Sequence, residues 1–308
     1  MRVLVTGGAG FIGSHIAAYY ADKAQVRVLD NLRTGRRENL DGIDCEFIEG
    51  SVASRRDVKT AMRDVDYVFH LAAMISVPES MEHPEDCIII NTQGTTIVLQ
   101  EAAWAGVKKL CFSSSAAIYG DNPAAPKVET MIPEPKSPYA VTKLDGEYYC
   151  RIYAQEGWLP TACMRYFNVF GPRQDPNSPY AAAIPIFIHK ALRNEPITIF
   201  GDGEQTRDFI YVKDIVAANV FLAEHRPLSG VYNVACGRRQ TINEIARNII
   251  ELTGSSSEIQ YAPVRAGDVK HSLASIEKIT DAGFTPQTDF QRGLAETIDF
   301  FRGRQNKP

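Results

Sequence analysis

An apolar triplet, Val3-Leu4-Val5, runs straight into Thr6-Gly7-Gly8-Ala9-Gly10-Phe11-Ile12-Gly13-Ser14-His15, and a second apolar run, Val26-Arg27-Val28-Leu29, closes on Asp30. A short strand that passes through spaced glycines into a helix constrains the fold more than any other feature of the chain, because few backbone paths need glycine at all three spaced positions. Gly7 suits a tight strand-to-helix turn, Gly10 lets the backbone approach a ligand, and Gly13 lets the helix pack close to the strand. The start of that helix offers unpaired N–H groups and a partial positive charge, which suit a pyrophosphate. Asp30 lies seventeen residues past Gly13, where a carboxylate can accept from a ribose diol and would repel a 2′-phosphate. The expected ligand is therefore NAD rather than NADP. Glycines also mark ordinary turns, and it is the full succession of strand, glycines, helix and acid that favours the dinucleotide reading.

Apolar runs alternate with amphipathic stretches through the first half of the chain. They predict strands near 2–6, 25–29, 45–49, 66–71, 108–113 and 160–165, and helices near 11–22, 54–63, 83–105 and 137–157. Such alternation predicts an α/β fold with a doubly wound parallel Rossmann sheet. Ligands of these sheets sit beyond the carboxyl ends of the strands, which singles out Asp30, Leu71-Ala72-Ala73 and Ser113-Ser114-Ser115. After about residue 166 the pattern changes to Pro-, Gly- and Asn-rich loops, notably 171–179, mixed with shorter elements. A Rossmann domain over 1–166 and a smaller α/β substrate-binding lobe over 167–308 are expected, with about 196–220 returning to the first domain.

Composition narrows the function classes. At 44% apolar and 23% charged over 308 residues, the chain reads as an ordinary globular protein. A formal charge of −4 gives no electrostatic reason to expect nucleic acid or an anionic membrane as partner. No apolar stretch approaches the roughly 20 residues of a membrane span, and the N-terminus reads as a strand and not a leader, so a cytoplasmic protein is expected. The six cysteines form no CxxC pair and the six histidines no HExxH, so neither disulfides nor a metal are expected.

Tyr139 and Lys143 stand four apart behind Ser137-Pro138, and one helical turn puts both on one face. An ammonium near a phenol favours the phenolate and is expected to lower the tyrosine's pKa from its ordinary value near 10, as is a positively charged nicotinamide. That would make Tyr139 a general base. Such pairs also arise by chance on helix surfaces, but the hydroxyls of Ser113-Ser114-Ser115 could bond the same substrate oxygen.

These residues, with the Asp30-Asn31-Leu32 triplet, HLAA at 70–73, SSSAAIYGD at 113–121, SPYAVTK at 137–143, RYFNVFGPRQDP at 165–176 and GDGEQTRDFIYVKD at 201–214, resemble the extended short-chain dehydrogenase/reductases, and among them the NAD-dependent nucleotide-sugar epimerases. The resemblance covers nearly the whole chain. It implies Tyr139 as catalytic base, Lys143 as its electrostatic and ribose-binding partner and Ser115 as third catalytic residue. It implies an NAD site built from Gly7, Gly10, Phe11, Ile12, Gly13, Asp30, Asn31, Ser51, Val52, Leu71, Ala72, Ala73, Asn91, Tyr139, Lys143 and Tyr166. For a UDP-sugar it implies Ser76, Ser114, Ser115, Tyr139, Asn168, Arg207, Arg265, Asp268 and Ser272, with the two arginines on the diphosphate and Asp268 on the uridine ribose. The planar donors of arginine suit phosphate oxygens.

Within the family, dehydratases and decarboxylases keep acidic residues after the catalytic hydroxyl, where this chain has Ala116-Ala117. Methyl groups cannot shuttle protons, which leaves 4-epimerisation. Ser272 stands at the position that gates the sugar's C2 substituent, so UDP-GlcNAc/UDP-GalNAc is the expected pair, with UDP-glucose or UDP-glucuronate as alternatives. A non-catalytic NAD or nucleotide-sugar sensor is the rival from another class. Gly50-Ser51 stands where relatives carry Gly-Asp, so the hydroxyl of Ser51 would take the adenine contact. A homodimer through the helices at 83–105 and 137–157, which carry Ile88, Ile97, Val98 and Leu99, is expected from the same resemblance.

Overall fold

The computed structural model describes residues 1–176, 182–264 and 270–305. The first half runs β1 (Arg2–Thr6), α1 (Phe11–Tyr20), β2 (Gln25–Asp30), β3 (Glu46–Glu49), α2 (Arg55–Ala61), β4 (Tyr67–His70), α3 (Val77–Glu82), α4 (Pro84–Cys87), α5 (Gly94–Trp104), β5 (Lys109–Ser115), α6 (Pro138–Gln155) and β6 (Thr161–Tyr166). The second half runs β7 (Asn168–Phe170), α7 (Ala183–Ala191), β8 (Ile197–Phe200), β9 (Thr206–Arg207), β10 (Phe209–Tyr211), α8 (Val212–Glu224), β11 (Gly230–Val234), β12 (Gln240–Thr241), α9 (Ile242–Thr253), β13 (Ile259–Ala262), α10 (Glu277–Asp281) and α11 (Phe290–Gln305).

Seven strands form one parallel sheet in the order β11-β6-β5-β4-β1-β2-β3. The chain winds outward from β1 on one side and from β4 on the other, so the crevice past the ends of β1 and β4 is the switch point where such sheets bind ligands. Strand β1 illustrates why the sheet is buried on both faces. Val3 and Val5 pack with Ile16 and Ile215 in one layer, while Leu4 packs with Val58, Val98 and Cys150 in the other, all three strand residues being fully buried. Each such side chain contributes about 1.5–3 kcal/mol relative to leaving it in water.

The seventh strand comes from late in the chain. The polypeptide returns to the sheet through α8, which packs against α1, and through β11. The first part of α8, from Val212, falls within the expected 196–220, while β8 of the same span pairs with β13. A further core cluster buries Phe170, Phe187, Ile197, Ile245 and Ile298 together, with Phe11 and Ile12 packed against it.

The long helix expected over 83–105 is interrupted by a wide π-helical turn at Ile88–Gln93. No glycine or proline marks it; the extra residue in that turn carries Asn91 inward. Of the residues expected on a pairing face, Ile97, Val98 and Leu99 are buried in the layer against the sheet, and Ile88 is exposed together with Ile89, Val141, Tyr148 and Ile152. Among the described residues no helix is long and apolar enough to cross a membrane.

Candidate active site

The glycine turn is closed by the Gly7 N–H bonding Leu29 O at 2.8 Å and the Gly10 N–H bonding Gly7 O at 3.1 Å. Gly7 has φ +69°, and a Cβ there would lie 2.7 Å from the backbone nitrogen of Ala72. A Cβ on Gly13 would collide with the carbonyl oxygen of Gly7. Gly10 caps α1 without a side-chain hydrogen bond, and no acidic residue lies in the first turn. The helix start therefore keeps donors and a partial positive charge for an anion, which fits a pyrophosphate. Phe11 and Ile12 open the helix; both are partly buried, and Phe11 meets His15 edge-on at 6.0 Å.

Asp30 is nearly buried, which raises its pKa, while the N–H groups of Leu32 and Ala9 bond its two oxygens at 2.8 and 2.9 Å and oppose that rise. Each oxygen keeps a lone pair for a ribose hydroxyl. Its neighbours have other duties. Asn31 Oδ1 accepts from the N–H of Arg33 at 3.2 Å, and Ser51 Oγ accepts from the N–H of Ala53 at 3.2 Å. Val52 has its side chain in the core, so only its backbone could meet a cofactor.

Leu71, Ala72 and Ala73 follow β4 and form the opposite wall. Their position is fixed by groups that sequence reasoning missed. Thr6 Oγ1 accepts from the N–H of Leu71 at 3.2 Å and of Ala72 at 3.3 Å, so its own proton goes to His70 Nδ1 at 2.7 Å. His70 Nε2 then donates to Thr95 Oγ1 at 3.0 Å. Complete burial pushes the imidazole pKa down to about 3, keeping it neutral.

Asn91 and Tyr166 were expected to line the cofactor site, and the structure commits their polar groups elsewhere. Asn91 Oδ1 accepts from the N–H of Met74 at 2.7 Å, while its Nδ2 donates to Met74 O and Thr142 Oγ1, both at 3.0 Å. It braces the segment after Ala73. The Tyr166 hydroxyl accepts from Asn219 Nδ2 at 2.7 Å, and the side chain is buried.

Ser115 ends β5, and its Oγ accepts from the N–H of Ala117 at 3.1 Å. Tyr139 is the second residue of α6; its N–H bonds Ser80 Oγ at 3.2 Å, and its phenol bonds the side chain of Ser115. Lys143, one turn on, is buried with its Nζ donating to Ser113 O at 2.7 Å and lying 5.9 Å from the centre of the Tyr139 ring. Burial pushes the lysine down to about 8. The expected lowering of Tyr139 by Lys143 is corrected here: burial raises the phenol above its ordinary value, and the opposing pull comes from Ser115. The lysine is held by a carbonyl instead of facing the phenol directly. Ser114 is a second correction. Neighbouring residues of a strand face opposite sides, and Ser114 is buried with its Oγ donating to Glu147 Oε1 at 2.5 Å, which spends the hydroxyl's proton in the interior.

Three of the residues expected to hold a substrate gather around Thr206 and Asp208. Ser272 donates its N–H to Thr206 O at 3.0 Å, and Asn168 donates its N–H to Asp208 O at 3.2 Å. Arg207 Nη1 donates to Thr206 O at 2.9 Å. Asp208, fully buried and absent from the sequence-based set, accepts from the N–H groups of Cys236, Gly237 and Ala274 at 2.9, 3.0 and 3.1 Å. Burial drives its carboxyl up to about 6 against the pull of those donors. Ser76 caps α3 by accepting from the N–H of Glu79 at 3.1 Å, which spends its hydroxyl locally. Arg265 and Asp268 lie outside the described residues. A cavity of about 770 Å³ opens beside Lys270 between Phe200, Gly201, Gln205, Tyr261 and Pro263.

The chain matches the NAD dependent epimerase/dehydratase family over residues 3–235. It is 36% identical to a UDP-glucose 4-epimerase of Mycolicibacterium smegmatis over 315 residues, covering 99% of both chains. Among solved structures it resembles the UDP-N-acetylglucosamine 4-epimerase of Methanobrevibacter ruminantium in complex with UDP-N-acetylmuramic acid, at TM-score 0.95 and 42% identity over 98% of each chain. It also resembles the UDP-glucose 4-epimerase of Thermus thermophilus in complex with NAD, at TM-score 0.90 and 40% identity over 98% of this chain and 99% of that one.

Proposed function

Because the chain belongs to the NAD dependent epimerase/dehydratase family, we propose that it interconverts the C4 epimers of a UDP-hexose with NAD as resident cofactor, and that UDP-GlcNAc and UDP-GalNAc are its preferred pair. The observation that carries this reading is the meeting of Ser115, Tyr139 and Lys143 at the carboxyl end of β5, followed by Ala116-Ala117, which offer no acid for elimination or decarboxylation.

The glycine turn, the uncapped start of α1 and Asp30 fit the dinucleotide. NAD held there would supply the hydride acceptor for oxidation at C4 and the hydride donor for its re-reduction. Tyr139 serves as the phenolate, which the positive charge of a bound nicotinamide and of Lys143 would favour against the effect of burial; it takes the proton of the sugar's C4 hydroxyl while Ser115 shares that oxygen through its own hydroxyl. Lys143 contributes positive charge beneath the pair. With C4 now a carbonyl, the sugar turns about its diphosphate linkage and presents its other face. Tyr139 then gives the proton back to the oxygen. Arg207 is suited to the diphosphate, and the cavity walled by Phe200 and Tyr261 suits a flat base, its 770 Å³ falling within the usual range for small-molecule sites.

Sugar choice rests on Ser272, whose small side chain leaves room at C2 for an acetamide. Ser272→Tyr should lower kcat/KM for UDP-GlcNAc by roughly ten- to two-hundred-fold while sparing UDP-glucose, the range a filled or emptied pocket commands. Steady-state rates on both sugars check this. An equal loss on both would remove Ser272 from sugar selection.

A further inference from the structure

Beneath the reacting residues runs a buried polar chain that the proton-transfer steps do not use. Glu147 stands one turn beyond Lys143 on α6 and accepts from Ser114, the residue before Ser115, at 2.5 Å. Arg165 on β6 grips both oxygens of Glu147, at 2.9 Å from Nε and 2.7 Å from Nη2, with both side chains almost wholly buried. Arg165 Nη1 donates to the Tyr119 hydroxyl at 2.9 Å, and that hydroxyl donates to Asn233 Oδ1 at 2.6 Å. Asn233 on β11 spends its remaining donors on Lys127 O at 2.9 Å, Ser275 O at 3.2 Å and, from its backbone N–H, Glu129 Oε1 at 2.7 Å.

The far end of this chain is the segment that carries Ser272. Lys127 bonds it from both sides, donating its N–H to Leu273 O at 2.7 Å and accepting from the Ser275 N–H at 2.8 Å. The catalytic end of β5 and α6 is thus joined to the 271–275 segment of the other lobe through fully satisfied buried groups. Apolar side chains of similar volume could fill this space without loss of stability, whereas hydrogen-bonded groups hold one geometry.

We propose that the Tyr119–Asn233 contact is a positioning device for the reaction, setting the 271–275 segment, and with it the sugar, at the distance from Tyr139 that proton transfer needs. This rests on the 4-epimerase reading above. Tyr119 and Asn233 are positioning residues, and neither carries a proton for the reaction. On that reading the nucleotide end of the substrate is held separately, by the cavity at the ends of the paired strands β8 and β13.

Tyr119→Phe is the direct test, since the ring keeps its cluster with Ile118, Phe167 and Ala274 and only the hydroxyl is lost. The expected result is a kcat on UDP-GlcNAc lowered by roughly ten- to a hundred-fold, the cost of an ångström-scale misplacement, with unchanged affinity for UDP by calorimetry and unchanged NAD content. A folded variant with parental kcat overturns the proposal, and so does a parallel loss of kcat and UDP affinity, which general loosening would produce. Should Tyr119→Phe fail to fold, Ser114→Ala breaks the same chain at its other end, with the same expected split and the same contrary results. A parent protein that epimerises no UDP-hexose defeats the functional reading and this inference together; an active parent with unaffected variants defeats the inference alone.

Discussion

Tyr139→Phe should yield a folded protein that still carries its dinucleotide and whose epimerisation rate has dropped by roughly a hundred- to ten-thousand-fold, the usual contribution of a positioned acid-base group. The substitution removes one oxygen. The ring's packing remains, as do the backbone bond to Ser80 and the Lys143 contact with the Ser113 carbonyl. What disappears is the group that takes and returns the sugar's proton, together with its hydrogen bond to Ser115. Initial rates by proton NMR, set beside bound NAD after denaturation, separate lost chemistry from lost cofactor. A rate within threefold of the parent would place the base elsewhere.

Gly13→Ala should abolish NAD retention. The added methyl falls on the carbonyl oxygen of Gly7 and within 2.8 Å of the α-carbon of Gly8, backbone atoms that cannot retreat without opening the turn. The overpacking costs about 1–3 kcal/mol or more, and the Gly7 carbonyl it displaces is the one that receives the Gly10 N–H. Gly303→Ala on α11 is the matched control, because an added methyl there meets nothing within 4 Å, and it should be neutral or slightly stabilising. The check is NAD per protomer in each purified protein, with thermal midpoints alongside. Full NAD occupancy in Gly13→Ala would mean that the turn is not the cofactor's cradle.

The contrast between these two sites and their surroundings explains what could be read from sequence. The strands of the first half are apolar runs because a parallel sheet is buried on both faces, and β1 declares itself in three consecutive residues. Strand β11 does not, since its five residues include Asn233, whose burial makes sense only once Tyr119, Lys127 and Ser275 surround it. The serine run at the end of β5 was legible as chemistry but not as direction, because the phase of a strand decides which way each hydroxyl faces. Ser115 turned toward Tyr139 and Ser114 toward Glu147.

Asn91 and Tyr166 were expected to line the cofactor site, and their polar groups are bonded to Met74, Thr142 and Asn219, partners that no local spacing records. Asp208, His70 and Arg165 stood inside the quoted motifs but without an assigned role. Their partners lie in other elements, such as Ala274 for Asp208 and Thr6 for His70, and no local spacing records such pairings. Lys143 shows the same limit in energetic form, since its spacing from Tyr139 is local but its bond to Ser113 is not.

The most direct test of the whole account is to incubate the purified protein with UDP-GlcNAc, and separately with UDP-glucose, adding no cofactor, and to follow inversion at C4 by proton NMR. Appearance of UDP-GalNAc, faster than that of UDP-galactose, is the expected result and would mean that retained NAD and the Ser115, Tyr139 and Lys143 group perform the reaction. No inversion of either sugar by protein carrying a full complement of NAD would contradict it.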